Sequence, residues 1–366
     1  MSIYKIESGL IFDDQFQEIH PRWIASPSGA FSLSEKGLSM AHSKADNGTN
    51  LLFETPDEKN LVFQVEADYT PTQPGDEGGI VVWNSALNKM EFLESVEMGR
   101  QDEYPSWQTR KRNNLWSFFA QRSGEWELFD AIPITETPSM LGVTLKGQPN
   151  ELYKPLNIRR AILCRGTSIV IGNVNSGYRV ELLDDTGSVV EAQTIPNQFA
   201  GTNIELPTIP FRGRIRIYDV PEENYPQGRL ISEQVASVDF YGGDIYLYGT
   251  DLLIEWQGEE LNKDTITHLG TMQNNTILTS MTVRNVTSGN IAENVELSIK
   301  QYQEEFGWEW VDIALDLNGS PGEWKDVLQL GTLNPGDSIN IWVFVQKNEV
   351  NWATRPTHFI FDLNHQ

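Results

Sequence analysis

Helical periodicity is almost missing from this sequence. No stretch repeats apolar residues at three- and four-residue spacing, and heptads are absent, so any oligomer must form by a route other than a coiled coil. Cysteine is down to one, Cys164, which excludes an intrachain disulfide. It lies in the apolar run "RRAILCRGTSIVI" with no histidine near it, and reads as a buried, inert thiol rather than a nucleophile. Positive charge is scarce: 27 bases against 51 acids leave a net charge of −24. Such a surface repels phosphate backbones and argues against nucleic acid as a partner. Long apolar runs are missing too. Nothing approaches the roughly 20 residues of a membrane-spanning helix, and "MSIYKIESGLIFDDQF" lacks the basic and apolar regions of an export signal. The expectation is a chain made in the cytosol without membrane insertion.

The usual catalytic constellations are also absent. His20, His42, His268, His358 and His365 are scattered, with no paired-histidine or Cys/His spacing for a metal. No Gly-x-Ser-x-Gly elbow and no phosphate-binding glycine loop occurs. The stretch "EGGIVVWNSALNKMEFLESVE" (77–97) is acidic enough to test as a glycosidase strand. Retaining glycosidases need two carboxylates about 5 Å apart, which on one strand means acids on the same face. Glu91 and Glu94 have opposite parity, and the same-face neighbours of Glu94 are Met90, Phe92, Val96 and Met98. Trp83 closes an unbroken apolar run and is expected in the core. The turns "KADNGTN" (44–50) and "QPGDEGG" (73–79) offer oxygens to calcium, yet neither matches a defined calcium loop. Ordinary turn chemistry is the favoured reading of both, so no cofactor is expected, with calcium as the open alternative.

What the sequence has is short β-strands. Apolar residues alternate, or come in runs of four to six rich in Val, Ile, Phe, Tyr and Trp, with Gly, Pro, Asn and Asp between them. "LVFQVEADY" (61–69), "NLWSFFAQ" (114–121) and "WELFDAI" (126–132) are examples. The length suits two or three domains. Proline-bearing polar joints at 146–155 and 220–234 divide it into 1–155, 156–222 and 235–366. The fold class is all-β, a sandwich followed by two further β-sandwich modules.

The first piece carries "FDDQF" (12–16), Trp23, "GLSMAH" (37–42), "TNLLFET" (49–55), "VFQVEADYTP" (62–71) and "GGIVVWNSALNKMEFLESV" (78–96). In these it resembles the concanavalin A-like, or laminin-G-like, lectin sandwich. That sandwich is found in the non-catalytic C-terminal domains of β-xylosidases and in bacteriophage appendage or tail proteins. The second piece, with "SGYRVELLDDTGSVVEAQ" (176–193) and "NIELPTIPFRGRIRIYDV" (203–220), resembles small spacer sandwiches of phage tails and adhesins. The third, with "ILTSMTVRNVTSGNIAENVELSIKQ" (277–301) and "LGTLNPGDSINIWVFVQ" (330–346), resembles immunoglobulin-like or fibronectin-like sandwiches. These are shapes shared by many activities.

Three features could carry binding. "GRQDEYPSWQTRKRNN" (99–114) reads as a long polar loop holding Tyr104 and Trp107, with Arg110, Lys111 and Arg112 as the densest positive charge in the chain. Aromatic faces stack on pyranose rings and charged side chains bond hydroxyls, so Tyr104, Trp107, Arg110 and Arg112 form a candidate carbohydrate site. The basic cluster could meet an anionic glycan; alternatively Trp107 caps the sandwich edge and the bases pair locally. Arg212, Arg214 and Arg216 alternate onto one strand face opposite Ile215 and Ile217, as a stripe for docking an acidic partner or a solvated face paired with acids such as Glu181. In the third piece Trp308, Trp310, Trp324, Trp342 and Trp352 are numerous; most read as core, and a partly exposed aromatic face is open.

The resulting expectation is a non-enzymatic virion protein of a phage or prophage, adhering to a surface glycan or docking to other virion proteins, and open to homo-oligomerisation. The rivals are an accessory carbohydrate-binding protein or glycoside hydrolase module, and a purely structural assembly or decoration subunit.

Overall fold

In a computed structural model, the strands Asn60–Asp68 and Leu156–Cys164 are buried on both faces, and this organises the first two thirds of the chain. Phe63, Val65, Ala161 and Leu163 point into one core, while Val62, Ile162 and Cys164 point into a second. A strand buried on both sides reads as a continuous apolar run rather than an alternating one, which is how "LVF" and "AILC" read. The structure describes residues 2–85, 88–97, 100–101, 104–133, 138–196, 199–234, 236–249, 252–261, 266–272, 276–287, 291–302, 307–347 and 358–365. Among them there is no α-helix, only 3₁₀ turns at Ser28–Ala30 and Gly307–Trp310.

The first sandwich packs two sheets together. One runs in the order Glu125–Pro133, Leu115–Arg122, Ser106–Arg112, Asn60–Asp68, Leu156–Cys164, Gly37–Met40, Phe31–Ser34, with Leu10–Asp14 also paired to Leu156–Cys164. The other runs Ile24–Ser26, Thr49–Glu54, Met140–Lys146, Glu77–Ser85, Asn88–Glu94. Between them an aromatic cluster forms, with Phe53 edge-on to Phe12, Trp23 and Phe63 at 5.1–5.2 Å. The "FDDQF" residues serve it directly: Asp14 accepts from Trp23 Nε1 at 2.7 Å and from the Phe16 amide at 2.8 Å. Asp13 faces the second unit, taking two bonds from Arg160 and one from the Tyr241 hydroxyl.

The joint expected at 146–155 lies before the end of this sandwich. Leu156–Cys164 enters the middle of the first sheet, pairing with Asn60–Asp68, because its apolar side chains can be covered on both faces there. The second unit likewise extends past 222. Its core takes Phe240 and Tyr246, and the N-terminal strand Ser2–Glu7 pairs with Ile245–Gly249. One of its sheets holds Ser2–Glu7, Ile245–Gly249, Ser168–Gly172 and Gly201–Glu205; the other holds Val189–Thr194, Arg179–Asp184, Phe211–Tyr218, Leu230–Glu233 and Val238–Phe240. The "DDTG" turn forms as expected, with Asp184 Oδ1 accepting from Thr186 and Ser188.

Three chain segments meet where the two units join. The Arg165 amide donates to Gly9 O and Gly242 O, and the Gly243 amide donates to Ser168 O. A Cβ on Gly242 would lie 1.6 Å from Gly166 O, so only glycine permits the approach. Buried Asp244 ties the crossing, accepting from Lys5 Nζ at 2.7 Å, the Gly9 amide at 2.8 Å and the Tyr241 amide at 3.0 Å.

The third unit has its own core around Val283, Leu297, Ile313, Ile341 and Val343. Its two sheets centre on Thr276–Asn285 with Ser338–Gln346, and on Ala292–Gln301. Trp308 and Trp310 sit in the 3₁₀ turn and pack partly buried against this core, rather than on a strand face. Trp342 donates to Asp316, and Trp324 packs on Phe344 at 5.4 Å. Trp352 lies outside the described residues.

Cys164 tests the join between the first two cores. Its thiol is fully buried and burial pushes it up to about 12, so the reactive thiolate is withheld at neutral pH. Labelling with an aromatic disulfide reagent should be negligible at pH 8 in the native protein and complete in denaturant. Rapid native labelling would show that the two units separate.

Candidate functional site

The segment 99–114, which reads as a loop, is a central strand from Ser106 onward. Ser106–Arg112 lies between Asn60–Asp68 and Leu115–Arg122, with Trp107 opposite Val65 and Gln108 opposite Gln64. Trp107 is fully buried and donates from Nε1 to Glu94 at 3.0 Å. Tyr104 is also buried; its amide bonds Glu94, and its hydroxyl accepts from Arg122. Neither aromatic is free to stack on a sugar, and both are corrected to core. Glu94 points inward to serve them, while Glu91 points outward to Lys89 and Lys146. The opposite parity read from the sequence is what the fold uses. Trp83 is corrected as well: it is half-buried on the outer face, with the Lys89 ammonium 5.0 Å from its ring.

The polar residues of this strand misled because their partner is another unit. Gln64 and Gln108 lie on the outer face of the first sheet, yet both are buried where the second unit covers it. A relay satisfies them. Arg110 Nε donates to Gln108 Oε1 at 2.5 Å, Gln108 Nε2 donates to Gln64 Oε1 at 2.9 Å, and Gln64 Nε2 donates to the Ile209 carbonyl at 2.8 Å. An unpaired buried amide would cost about 1–3 kcal/mol, so each link holds the next.

The seam opens past Arg110 into a cleft of about 480 Å³, on the scale of small-ligand sites. Arg110 and Arg112 reach it from the first sandwich, and Gln193, Asn203 and Glu205 from the second unit. Thr167 and Ser168, on the connection between them, close one side. Two of the four residues expected to bind carbohydrate are therefore brought together here, without the other two. The Arg110 guanidinium carbon sits over Phe119, 4.2 Å from the ring centre, and Arg112 Nη2 reaches Thr167 Oγ1 at 3.5 Å. Burial holds the Arg110 guanidinium below its ordinary value, with Glu205 opposing and the like charge of Arg112 reinforcing the shift. Lys111 points the other way and is buried, with its ammonium on the Glu58 carbonyl. Arg165 is tied to Glu58 and the Ser8 carbonyl as a wall of the cleft. The cleft residues of the second unit carried no sequence signal, because only the fold brings 193–205 to 110–112.

The arginine stripe is spent within the chain. Arg212 pairs with Asp239 and Asp185, while Arg214 and Arg216 share Glu233. Ile215 and Ile217 are buried behind them, as the alternation implied. In the turn 73–79, Asp76 is buried and turns its carboxylate inward, accepting from Tyr69, Thr72 and His42. No cluster of three or more metal-ligating side chains occurs among the described residues.

Two predictions follow from these placements. Trp107→Ala should destabilise the fold by about 3–5 kcal/mol in chemical denaturation, since it empties a core position and strands Glu94; a change within 0.5 kcal/mol would return Trp107 to the surface. His42 is held below its ordinary value of 6.5 by burial, against the pull of Asp76. The folded state therefore resists its protonation. The stability it contributes is full above about pH 6.5 and falls as pH drops toward the lowered value. Melting temperature should decline over that window, and His42→Gln should flatten the decline.

No family model matches the sequence, and no curated protein matches it. Distant structural matches lie among glycoside hydrolase chains. The GH43 protein BlXynB from Bacillus licheniformis aligns at 14% identity and a TM-score of 0.36, over 42% of this chain and 39% of that one. Bacteroides ovatus xyloglucan PUL GH43B aligns at 13% and 0.37 over 42% and 39%. The xylan β-1,4-xylosidase from Bacillus halodurans C-125 aligns at 12% and 0.35 over 42% and 38%. The chain thus spans about two fifths of the length of the proteins it matches.

Proposed function

We propose that this protein is a non-enzymatic adhesion component of a phage or prophage particle that holds a surface glycan between its first two β units. The observation that supports binding is the cleft, where two arginines of one unit face amide and carboxylate side chains of the next. Glycans are recognised by such convergent donors and acceptors, and a site shared by two packed units is preorganised for them. The particle setting rests on the resemblance of the sequence motifs to phage appendage modules, and the binding reading stands without it. The docking alternative has less support, because Arg212, Arg214 and Arg216 are neutralised within the chain. The hydrolase alternative lacks a carboxylate pair on the acidic strand, since Glu91 and Glu94 lie on opposite faces.

The test is an array of bacterial wall glycans and plant polysaccharides, probed with labelled full-length protein and with Arg110→Gln, alongside a reducing-sugar assay. The expected result is binding to a subset of glycans, weakened in Arg110→Gln, with no sugar released. Sugar release would replace this reading with the hydrolase one. Absence of all glycan binding, with retention on purified virion proteins, would replace it with assembly.

A further inference from the structure

We infer that the cleft selects its glycan through an oxyanion carried on the sugar, a carboxylate or a phosphate, rather than by stacking on the ring. The inference rests on the glycan reading above and adds the ligand's chemical class.

The chain has nearly two acids for each base, and it pairs its arginines accordingly: Arg160 with Asp13, Arg179 with Glu181, Arg229 with Glu222, Arg284 with Glu255. Arg22 and Arg159 also have no carboxylate ion pair among the described residues, but each stands by itself; Arg110 and Arg112 differ in lying side by side. Two residues apart on one strand, they share a face and line the same cavity, and neither has a carboxylate ion pair among the described residues. Two like charges side by side at a partly buried seam disfavour each other, and a bound anion would relieve both. Arginine is suited to that task because its planar fork bonds both oxygens of a carboxylate or phosphate at once.

Stacking is poorly served. No aromatic side chain lines the cleft among the described residues, and the Phe119 ring is already covered by Arg110. Arg110 is also fixed: the Gln108 bond on one side and Phe119 beneath leave its terminal nitrogens directed by the scaffold. Across the cleft, Asn203 and Gln193 offer amides suited to hydroxyls. Glu205 is an acceptor for hydroxyls too; as an anion it keeps the ligand's charge on the Arg110–Arg112 side. Recognition would thus have a charged end and a hydroxyl end, supplied by different units of the chain.

The experiment is calorimetric titration of the full chain with polygalacturonate, a poly(glycerol phosphate) wall polymer, and neutral xylan and dextran, at low and high salt. Arg110→Gln, Arg112→Gln and the control Arg159→Gln, which removes an equal charge from an exposed position, run beside wild type. Melting temperatures confirm that each variant is folded. We expect an acidic polymer to bind and the neutral ones not to. Arg110→Gln and Arg112→Gln should each lose about ten-fold or more in affinity, with Arg159→Gln unchanged. Glu205→Gln should tighten the acidic ligand. Whether polygalacturonate or the phosphate polymer binds identifies the source of the oxyanion. Neutral glycans bound as tightly, or a loss equal in Arg159→Gln, would overturn the inference and leave the glycan reading standing. Failure of every polymer to bind would overturn both.

Discussion

A sheet covered on both faces must satisfy two environments with one set of strands. In this chain Asn60–Asp68 and Leu156–Cys164 do so, sending Phe63 and Leu163 into the first core and Val62 and Cys164 into the second. The cost of such an arrangement is polar: any amide or charge on the covered face loses water and must find a partner. Gln64 and Gln108 find each other, then the Ile209 carbonyl and Arg110. Because each donates to the next, the relay runs in one direction across the seam, from a guanidinium at the margin of the covered area to the Ile209 carbonyl.

The cleft follows from where that cover stops. Ser106–Arg112 enters the seam at Gln108 and leaves it at Arg112, so side chains along one face pass from buried amide to half-buried and then exposed arginine within five residues. On the opposing side, the glycine crossing at residues 9, 166 and 242, locked by Asp244, fixes the connection that carries Thr167 and Ser168. The walls therefore belong to two cores but are set by one joint. A ligand there would meet groups already held in place, which lowers the entropy cost of binding.

Much of this architecture was legible in the sequence, and the exceptions share a cause. Strand runs, the "DDTG" turn, the inward Ile215 and Ile217, and the opposite faces of Glu91 and Glu94 follow from period two and turn chemistry alone. The segment 99–114 did not, because alternation looks for one apolar face. Here Trp107 supplies the apolar face while Gln108 is buried, and Arg110 half-buried, against another unit. The joint at 146–155 was misplaced for a related reason: prolines and polar residues mark a surface excursion, and only pairing shows that the chain crosses there from Met140–Lys146 to the facing sheet of the same sandwich, which Leu156–Cys164 enters. Arg110 and Arg112 could be singled out by local charge. Asn203 and Glu205 could not, since nothing local marks a strand end that packs beside a distant one.

The doubly covered sheet makes the first two units one cooperative body, with the third outside it. Native-state hydrogen exchange across a denaturant series measures this directly. Amides of Asn60–Asp68 and Leu156–Cys164 should open with the same free energy as those of Arg179–Asp184 and Phe211–Tyr218, while Thr276–Asn285 and Ser338–Gln346 follow their own. If Arg179–Asp184 and Phe211–Tyr218 instead exchange through an opening that leaves Asn60–Asp68 and Leu156–Cys164 protected, the two cores are independent and the account of the cleft fails with them.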